Sequence, residues 1–326
     1  MLCKISLFLI ILYIITLIYF IIHIFCICHN TDSKNVVENI ETPTNQIFKP
    51  KNYIKVWTFW EGKSSKIVDL CLKSITNSCE KANKFSSNTG KTFKHVHLTK
   101  DNLDKYVKNI KNHICYSDDE KTISSDLIRL TLLKNYGGFW LDASILVLTP
   151  IFEIFEKTHN YNNFYAVYNP QNGHKQYIYP VVENSMLYAP PNHPLINDWL
   201  EGMNYLKKCD KWSRINYTLE KPFFWDLKNL VPSYHYSYYV FRHILHNAGG
   251  IQNYNNITLI SDIKIKYLAF LHFKDEDLLL LPLAKFLHKY NLKNTTSIKI
   301  CSFQRKYIDN MIENKNYHPK SILLQI

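Results

Sequence analysis

Glycine is scarce in this chain, which has 8 glycines among 326 residues. So few glycines exclude a collagen-like or a glycine-rich low-complexity protein. The eight cysteines form no C-x-x-C pair and no zinc spacing, so the sequence predicts neither a zinc site nor a disulfide framework, although an oxidising compartment would allow one disulfide. There is no run of five basic residues and no basic stripe interleaved with aromatics. The formal charge of +12 therefore does not predict nucleic-acid binding.

The most apolar part of the chain is its amino terminus, where residues 5–28 contain no Asp, Glu, Lys or Arg. A stretch of this length spans a bilayer. It lacks the short apolar core and the small-residue cleavage site of a secretory signal peptide. We therefore predict a cytoplasmic tip and uncleaved transmembrane anchor over residues 1–29, a polar stem over residues 30–51, and one large domain over residues 52–326.

The charges that flank the anchor predict its orientation. The free amine and Lys4 precede the apolar stretch, whereas Asp32, Lys34, Glu38 and Glu41 follow it. Basic residues are enriched on the cytoplasmic side of membrane segments. We expect a single-pass type II membrane protein whose large domain lies in a Golgi- or ER-like lumen or outside the cell.

Strand and helix patterns alternate after the stem, which is typical of an α/β domain with a mainly parallel sheet. Aromatic and β-branched runs predict strands at residues 53–60, 93–98, 139–141, 145–148, 164–168 and 181–189. Apolar residues at helical spacing predict helices at residues 65–78, 102–110, 194–207 and 234–247. A further helix is expected to start at a cap formed by Ser124 or Ser125 and to end at Gly137 in the left-handed conformation.

The most informative stretch has the sequence SSDLIRLTLLKNYGGFWLDAS. Asp126 and Arg129 are three residues apart on the predicted helix, so they share a face. Side chains alternate along the strand that follows, which would put Trp140, Asp142 and Ser144 on one side. Asp142 would then lie at the carboxyl end of a buried strand, and that edge of an open α/β sheet is where ligands bind.

An enzyme that cleaves a nucleotide sugar needs this combination of charges. The departing diphosphate requires a cation or basic side chains, Mg²⁺ and Mn²⁺ bind carboxylate oxygens, and an arginine holds sugar oxygens well. Simpler interpretations stay open: Asp126 and Arg129 could form an exposed ion pair, and Asp142 could be a turn residue. Trp57 and Trp60 could be core residues or a platform on which a base stacks.

The same stretch resembles the S-D-x-x-R … Y-G-G-x-[WY]-x-D-x-[DST] signature of glycosyltransferases with the DXD sugar-binding region, such as yeast-type initiating mannosyltransferases and clostridial glucosylating toxins. Its WLDAS segment is most similar to the capsular polysaccharide synthesis proteins, whose opening strand I-W-x-[YF]-W-E-G is matched by VWTFWEG. KIVDLCLKSI resembles the next helix of that group, and ENSMLYA resembles a later strand that leads to the acceptor side. The likeness covers residues 54–199.

This resemblance implies a GT-A fold, which is a Rossmann-like nucleotide-binding domain, here with added helices. It also implies a metal-assisted and usually retaining transfer. Carried over by position, Asp126 and Arg129 would hold the donor sugar, and Asp142 would contact the donor and the metal. Trp57 would stack on the donor base, and Trp140 would line the donor pocket.

The cofactor that the resemblance implies is a divalent cation, Mn²⁺ or Mg²⁺, held by Asp142 and Ser144. Ser144 stands where the group has a second carboxylate, and a hydroxyl is a weaker ligand, so this departure puts metal use in doubt. A late histidine ligates the metal in several GT-A enzymes, and His272 is the candidate for that ligand here.

We therefore expect a glycosyltransferase that moves a hexose from a nucleotide-sugar donor to a polysaccharide or glycoconjugate acceptor, with the membrane as a further partner. One alternative is a catalytically inactive subunit that binds the nucleotide sugar, and the serine at position 144 favours it. Another is a membrane-tethered structural or adhesion protein that keeps only the fold.

Overall fold

A computed structural model describes residues 53–85, 90–108, 121–154, 160–168, 178–208, 235–261, 277, 280–289 and 295–321. All of them belong to one of the two units into which the chain divides, Pro50–Ile326. The predicted anchor and stem lie outside the described residues, and they stay predictions. Within the described residues, no helix has the length and apolar character needed to cross a membrane.

The described chain contains eight strands and six α-helices. The strands are β1 Tyr53–Phe59, β2 Thr92–Leu98, β3 Gly138–Leu141, β4 Ile145–Val147, β5 Phe164–Tyr168, β6 Val182–Ala189, β7 Ile257–Ser261 and β8 Ser297–Lys299. The helices are α1 Lys66–Asn83, α2 Lys121–Tyr136, α3 Pro194–Lys208, α4 Tyr236–Asn247, α5 Leu283–Lys289 and α6 Ser302–Glu313.

Six of the strands form one mixed sheet in the order β2-β1-β3-β6-β5-β7. β1 is parallel to both β2 and β3, and β5 is parallel to β7, but β6 is antiparallel to both of its neighbours. Five of the six strands therefore run in the same direction, as expected for a mainly parallel sheet, and β6 is the exception. Consecutive strands pair antiparallel when the chain turns directly back, and β5 and β6 are consecutive. β4 and β8 form a separate antiparallel pair.

Helices cover both faces of the six-stranded sheet. Val56 and Trp57 are consecutive in β1, so they point to opposite faces and belong to different core clusters. On one face Ile75 of α1 packs into the cluster of Val56. On the other, Leu127 of α2 and Trp199 of α3 pack into the cluster of Trp57. Fully burying one such side chain stabilises the fold by about 1.5–3 kcal/mol.

A third apolar cluster joins the β4–β8 pair to the helices around it. It contains Cys71 of α1, Leu146 of β4, Phe286 of α5, Ile298 of β8 and Ile308 of α6. This packing holds the late segment that carries β8 and α6 beside the turn between β3 and β4. The three described cysteines are free thiols, so they contain no disulfide.

Two predicted helix positions are wrong. The described α2 begins at Lys121, so Ser124 and Ser125 lie inside the helix instead of capping it. Ser124 is buried, which shows that packing, and not capping, decides its place. The helix expected over residues 102–110 is, within its described residues, a 3₁₀ turn at Leu103–Lys105.

Two glycines make the reversal from α2 into β3. Gly137 ends the helix with φ +63°, as predicted, and Gly138 follows with φ +98°. A Cβ on Gly138 would lie 2.2 Å from the carbonyl oxygen of Lys55, and one on Gly137 would lie 2.7 Å from Cδ of Pro191. Only glycine fits so close to a neighbouring backbone. The tight reversal returns the chain beside α2 and so brings Asp142 back to that helix.

Candidate active site

Arg129 bridges two carboxylates that the sequence analysis singled out. Its Nη1 donates to Oδ1 of Asp126 at 2.7 Å, and its Nη2 donates to Oδ1 of Asp142 at 2.9 Å. Asp126 is 7% exposed and Arg129 is 3% exposed. The interpretation of an exposed ion pair is therefore wrong. The three residues predicted to form the site do converge, and they do so in a buried setting where ionic hydrogen bonds are strong.

Asp142 is both a turn residue and a member of this cluster. Its backbone carbonyl accepts from the amide of Ile145, and its own amide donates to the carbonyl of Ser185, each at 2.9 Å. Its Oδ1 also accepts from Nε1 of Trp140 at 2.9 Å, and its Oδ2 contacts Nζ of Lys299. About a quarter of its side chain, 24%, is exposed. The carboxylate is thus held by three donors and still reaches the surface.

Sequence reasoning missed two polar partners of the cluster. Lys299 lies 157 residues from Asp142 and reaches it because β8 pairs with β4 in a register that sets Ile145 opposite Lys299. Asn184 of β6 donates from Nδ2 to Oδ1 of Asp126 at 3.0 Å. Asn184 falls in the ENSMLYA segment whose likeness was noted, which was a usable signal. No local pattern marks Lys299.

A tyrosine–glutamate pair interacts electrostatically with Asp126 and Arg129 of the cluster. The hydroxyl of Tyr238 on α4 donates to Oε2 of Glu183 at 2.9 Å. Burial raises the pKa of Tyr238 well above its ordinary value, and the Glu183 and Asp126 charges raise it while Arg129 lowers it. Tyr238 therefore stays a neutral hydrogen-bond donor.

The two aspartates of the cluster titrate differently. Burial raises the pKa of Asp126 to about 6, although the Arg129 charge acts in the opposite direction. Burial also acts to raise the pKa of Asp142, but the Lys299 and Arg129 charges outweigh it, so that pKa is lowered. At neutral pH Asp142 is firmly ionised, while Asp126 is close to its titration range.

Trp57 has no exposed surface. Its Nε1 donates to the carbonyl of Gly137 at 2.9 Å, and the rings of Tyr106 and Tyr136 lie 5.2 and 5.5 Å away. The Lys55 ammonium lies 4.8 Å from the centre of the indole. A nucleotide base could stack on Trp57 only if these side chains moved, so this conformation presents it as a core residue.

Trp140 and Ser144 lie near Asp142 in different ways. Trp140 is fully buried, its indole N–H donates to Asp142, and the Arg129 guanidinium lies 5.0 Å from its ring centre. Ser144 is buried in the turn after β3, where its carbonyl accepts from the amide of Ile300 at 2.9 Å. The strand ends at residue 141, so the expected alternation does not extend to Ser144.

A cleft of about 790 Å³ opens where β1 ends and α1 begins. Trp60, the residue after β1, forms part of its wall, and the Arg305 guanidinium lies 5.3 Å from the Trp60 ring centre. Ser65, at the start of α1, contributes a buried Oγ that has no hydrogen-bond partner among the described residues. The cleft thus offers an aromatic face and a cation, which can hold a nucleotide, and the acidic residues Asp309 and Glu313 also line it.

Arg305 of the cleft and Lys299 of the carboxylate cluster lie on either side of Cys301 along the chain. Cys301, which precedes α6, has a pKa raised by burial, and the charges of Lys299, Arg305 and Glu183 all act on it. Arg305 belongs to the cleft, whereas Lys299 contacts Asp142 in the cluster. The late segment of the chain thus supplies one cation to the cleft and one to the cluster.

The described residues do not fit a divalent cation. They contain no group of three or more His, Cys, Asp or Glu side chains placed to hold a metal. Both oxygens of Asp142 already accept from protein donors, and the nearby Ser144 carries no charge. A metal ion at Asp142 would have to displace the Lys299 ammonium. His272 lies outside the described residues, and its role as a ligand stays a prediction.

Comparisons with known proteins agree with the resemblance noted in the sequence. The chain matches the family described as "Capsular polysaccharide synthesis protein" over residues 29–311. None of the curated proteins matches it in sequence.

Solved structures similar to this chain include a glycosyltransferase involved in the glycosylation of the major capsid of PBCV-1, at 11% identity and a TM-score of 0.40, covering 80% of this chain and 98% of that one. The bifunctional WbbM glycosyltransferase has 12% identity and a TM-score of 0.40, with 86% of this chain and 52% of that one covered. An active-site mutant of LgtC has 11% identity and a TM-score of 0.34, with 80% and 96% covered. These TM-scores lie below 0.5, so the similarities do not establish a role for any residue of this chain.

Proposed function

Because the chain belongs to the capsular polysaccharide synthesis protein family, we propose that it is a glycosyltransferase that moves a hexose from a nucleotide-sugar donor to a polysaccharide or glycoconjugate acceptor. The observation that carries this proposal is the buried bridge of Arg129 between Asp126 and Asp142. Polysaccharides are made by glycosyl transfer, and the chain also has a cleft of a size that suits a nucleotide.

In this proposal the cluster binds the donor sugar. Asp142 is ionised and partly exposed, so it can accept hydrogen bonds from sugar or ribose hydroxyls. Asp126 accepts from Arg129 and from Asn184, which fixes its carboxylate in one orientation. Arg129 is buried and paired on both sides, so its role is to position the two aspartates. Preorganised charges of this kind stabilise a transition state without reorganising during the reaction.

The nucleotide fits the cleft beside Trp60. The indole at the end of β1 can stack on a base, and Arg305, which lies over that ring, can pair with phosphate oxygens. Trp60 therefore takes the stacking role that the resemblance had suggested for Trp57.

The experiment that tests the proposal is a donor screen with the purified full chain in detergent. A panel of nucleotide sugars is offered, with Mn²⁺, Mg²⁺ or a chelator, and the release of nucleoside diphosphate is followed. One donor should turn over, and Asp142→Asn should reduce that rate by about 10²-fold or more, as removal of a transition-state hydrogen-bonding group does. The exposed Lys285→Ala is the matched control. Full activity in Asp142→Asn would refute the assigned site.

A catalytically inactive, nucleotide-sugar-binding subunit is the second candidate, because an uncharged serine occupies position 144 and Lys299 already covers Asp142. Calorimetry separates it from the enzyme. A subunit of this kind would bind one nucleotide sugar and release no nucleoside diphosphate with any metal, whereas the proposed enzyme does both.

We further propose that the transfer retains the anomeric configuration and that the domain has the GT-A arrangement, as the signature around Asp142 implies. The mixed six-stranded sheet with helices on both faces supports the second point. Nuclear magnetic resonance of the first-formed product distinguishes a retained anomer from an inverted one.

The membrane topology is also part of the proposal. Residues 5–28 would anchor the chain with the large domain in a lumen or outside the cell, because the flanking basic charge lies on the amino-terminal side. Protease added to sealed vesicles or intact cells reports which side the domain faces. Digestion only from the cytoplasmic side would refute the type II orientation.

A further inference from the structure

Lys299 contacts the carboxylate to which the sequence signature would assign a divalent cation. Its ammonium contacts Oδ2 of Asp142, while Oδ1 of the same carboxylate accepts from Arg129 and Trp140. Both oxygens of the Asp142 carboxylate thus already accept hydrogen bonds from protein donors. Together with the serine at position 144, this arrangement disagrees with a metal site.

The position of Lys299 is built into the fold. β8 ends at Lys299 and pairs with β4, and the amide of the next residue, Ile300, donates to the carbonyl of Ser144 at 2.9 Å. Both strands therefore hold Lys299 against the turn that begins at Asp142. Its side chain is 19% exposed, so it is largely enclosed but still accessible from the solvent.

The ammonium has hydrogen-bonding capacity left for a ligand. It carries three N–H groups, and among the described residues Asp142 is its single hydrogen-bond acceptor. The remaining N–H groups can donate to phosphate oxygens. Arg305, six residues later in the chain, lines the cleft beside Trp60.

We propose that Lys299 supplies the positive charge at the donor diphosphate that a divalent cation supplies in metal-dependent transferases. This inference rests on the proposed function. In the reaction, the bond between the anomeric carbon and the β-phosphate oxygen breaks, and its electron pair stays on that oxygen. The acceptor hydroxyl oxygen forms the new bond to the anomeric carbon, and its proton passes to the departing diphosphate. Lys299 offsets the negative charge that develops there.

The consequence is that donor turnover does not require an added divalent cation. The test uses the full chain with the donor identified in the screen, after chelation and with Mn²⁺ or Mg²⁺ restored. Wild-type rates in chelator and in metal should agree within about threefold. Lys299→Met keeps the length of the stem and removes the charge, so kcat in chelator should fall about 10²-fold, the effect of losing one transition-state donor. Lys299→Arg should keep more than a tenth of the rate, and Lys285→Met is the control.

A binding measurement separates contact with phosphate from a structural role. Calorimetry in chelator compares the nucleoside diphosphate of the active donor with its nucleoside. Lys299→Met should weaken the diphosphate about 10- to 100-fold, as expected for one charge-assisted hydrogen bond, and leave the nucleoside unchanged. An equal loss for both ligands would show that Lys299 only supports the fold, and it would overturn the inference.

The remaining outcomes separate this inference from the function on which it rests. If wild-type turnover stops in chelator and returns with Mn²⁺, while Lys299→Met keeps that metal-dependent rate, the inference is wrong and the glycosyltransferase proposal stands. If the wild-type chain neither binds nor turns over any nucleotide sugar, with or without metal, both are wrong.

Discussion

Replacing Arg129 by methionine would leave two carboxylates without their shared partner. Arg129 is 3% exposed and holds Asp126 at 2.7 Å and Asp142 at 2.9 Å. Removing one member of a buried ion pair costs about 3–5 kcal/mol, because the other charge stays buried and unpaired. Asp142 keeps Lys299 and Trp140, so the loss falls mainly on Asp126, and we expect about 3 kcal/mol in the free energy of unfolding.

The size of this loss should depend on pH. The pKa of Asp126 is about 6 in the folded chain against an ordinary 3.8, so its contribution to stability is fully present below 3.8 and is lost as the pH rises through about 6. Arg129 lowers that pKa, and its removal raises it further. In Arg129→Met, the Asp126 carboxyl is therefore protonated and neutral at pH 5, whereas at pH 8 it carries a buried charge that lacks its Arg129 partner. Arg129→Met should be less destabilising at pH 5 than at pH 8.

Urea unfolding of the full chain in detergent, followed by circular dichroism at both pH values, measures the effect. The double variant Asp126→Asn, Arg129→Met should recover much of the lost stability, because no unpaired charge remains on Asp126. Lys285→Met, on an exposed position, is the control for methionine itself. A loss below about 1 kcal/mol, or an equal loss at pH 5 and pH 8, would refute the buried-bridge reasoning.

Two further predictions concern the turn and the cleft. Gly138→Ala should destabilise the chain by more than about 3 kcal/mol in urea unfolding, because its Cβ would lie 2.2 Å from a backbone oxygen. Gly62 is also at positive φ but has nothing within 4 Å of a built Cβ, so Gly62→Ala should cost only about 1–2 kcal/mol. Similar losses in the two variants would contradict the steric explanation. Trp60→Ala should weaken nucleoside diphosphate binding about 10-fold or more in calorimetry and change the free energy of unfolding little. Trp57→Phe should lower the free energy of unfolding and leave nucleoside diphosphate binding little changed. The opposite pattern would assign the stacking role to Trp57.

The metal prediction depends on a residue that the local signature does not contain. The stretch around Asp142 resembles a metal-binding signature, and its one departure is Ser144. That departure by itself only weakens a cation site. The ammonium of Lys299 on Asp142 adds a physical reason, since one carboxylate cannot hold a divalent cation and a lysine on the same oxygen without mutual repulsion of the two cations.

Features that depend on neighbours along the chain could be predicted from the sequence. The end of α2 at Gly137, the short strands on either side of Asp142 and the shared helical face of Asp126 and Arg129 all follow from residue conformations and periodicity. The signature also predicted that these charges serve one site. The predicted helix start at Ser124 or Ser125 was wrong, because burial of Ser124 in the core outweighed the capping preference of serine.

Tertiary structure alone decided which side chains surround those charges and how exposed the charges are to solvent. Lys299 reaches Asp142 across 157 residues through strand pairing, and Asn184 reaches Asp126 across 58. The burial of the Asp126–Arg129 pair and the enclosure of Trp57 depend on packing between distant elements, which no short pattern encodes. Local conformational preferences act over a few residues, whereas burial and strand register are set by the whole core, so the sequence by itself determined the charges and the fold assigned their partners.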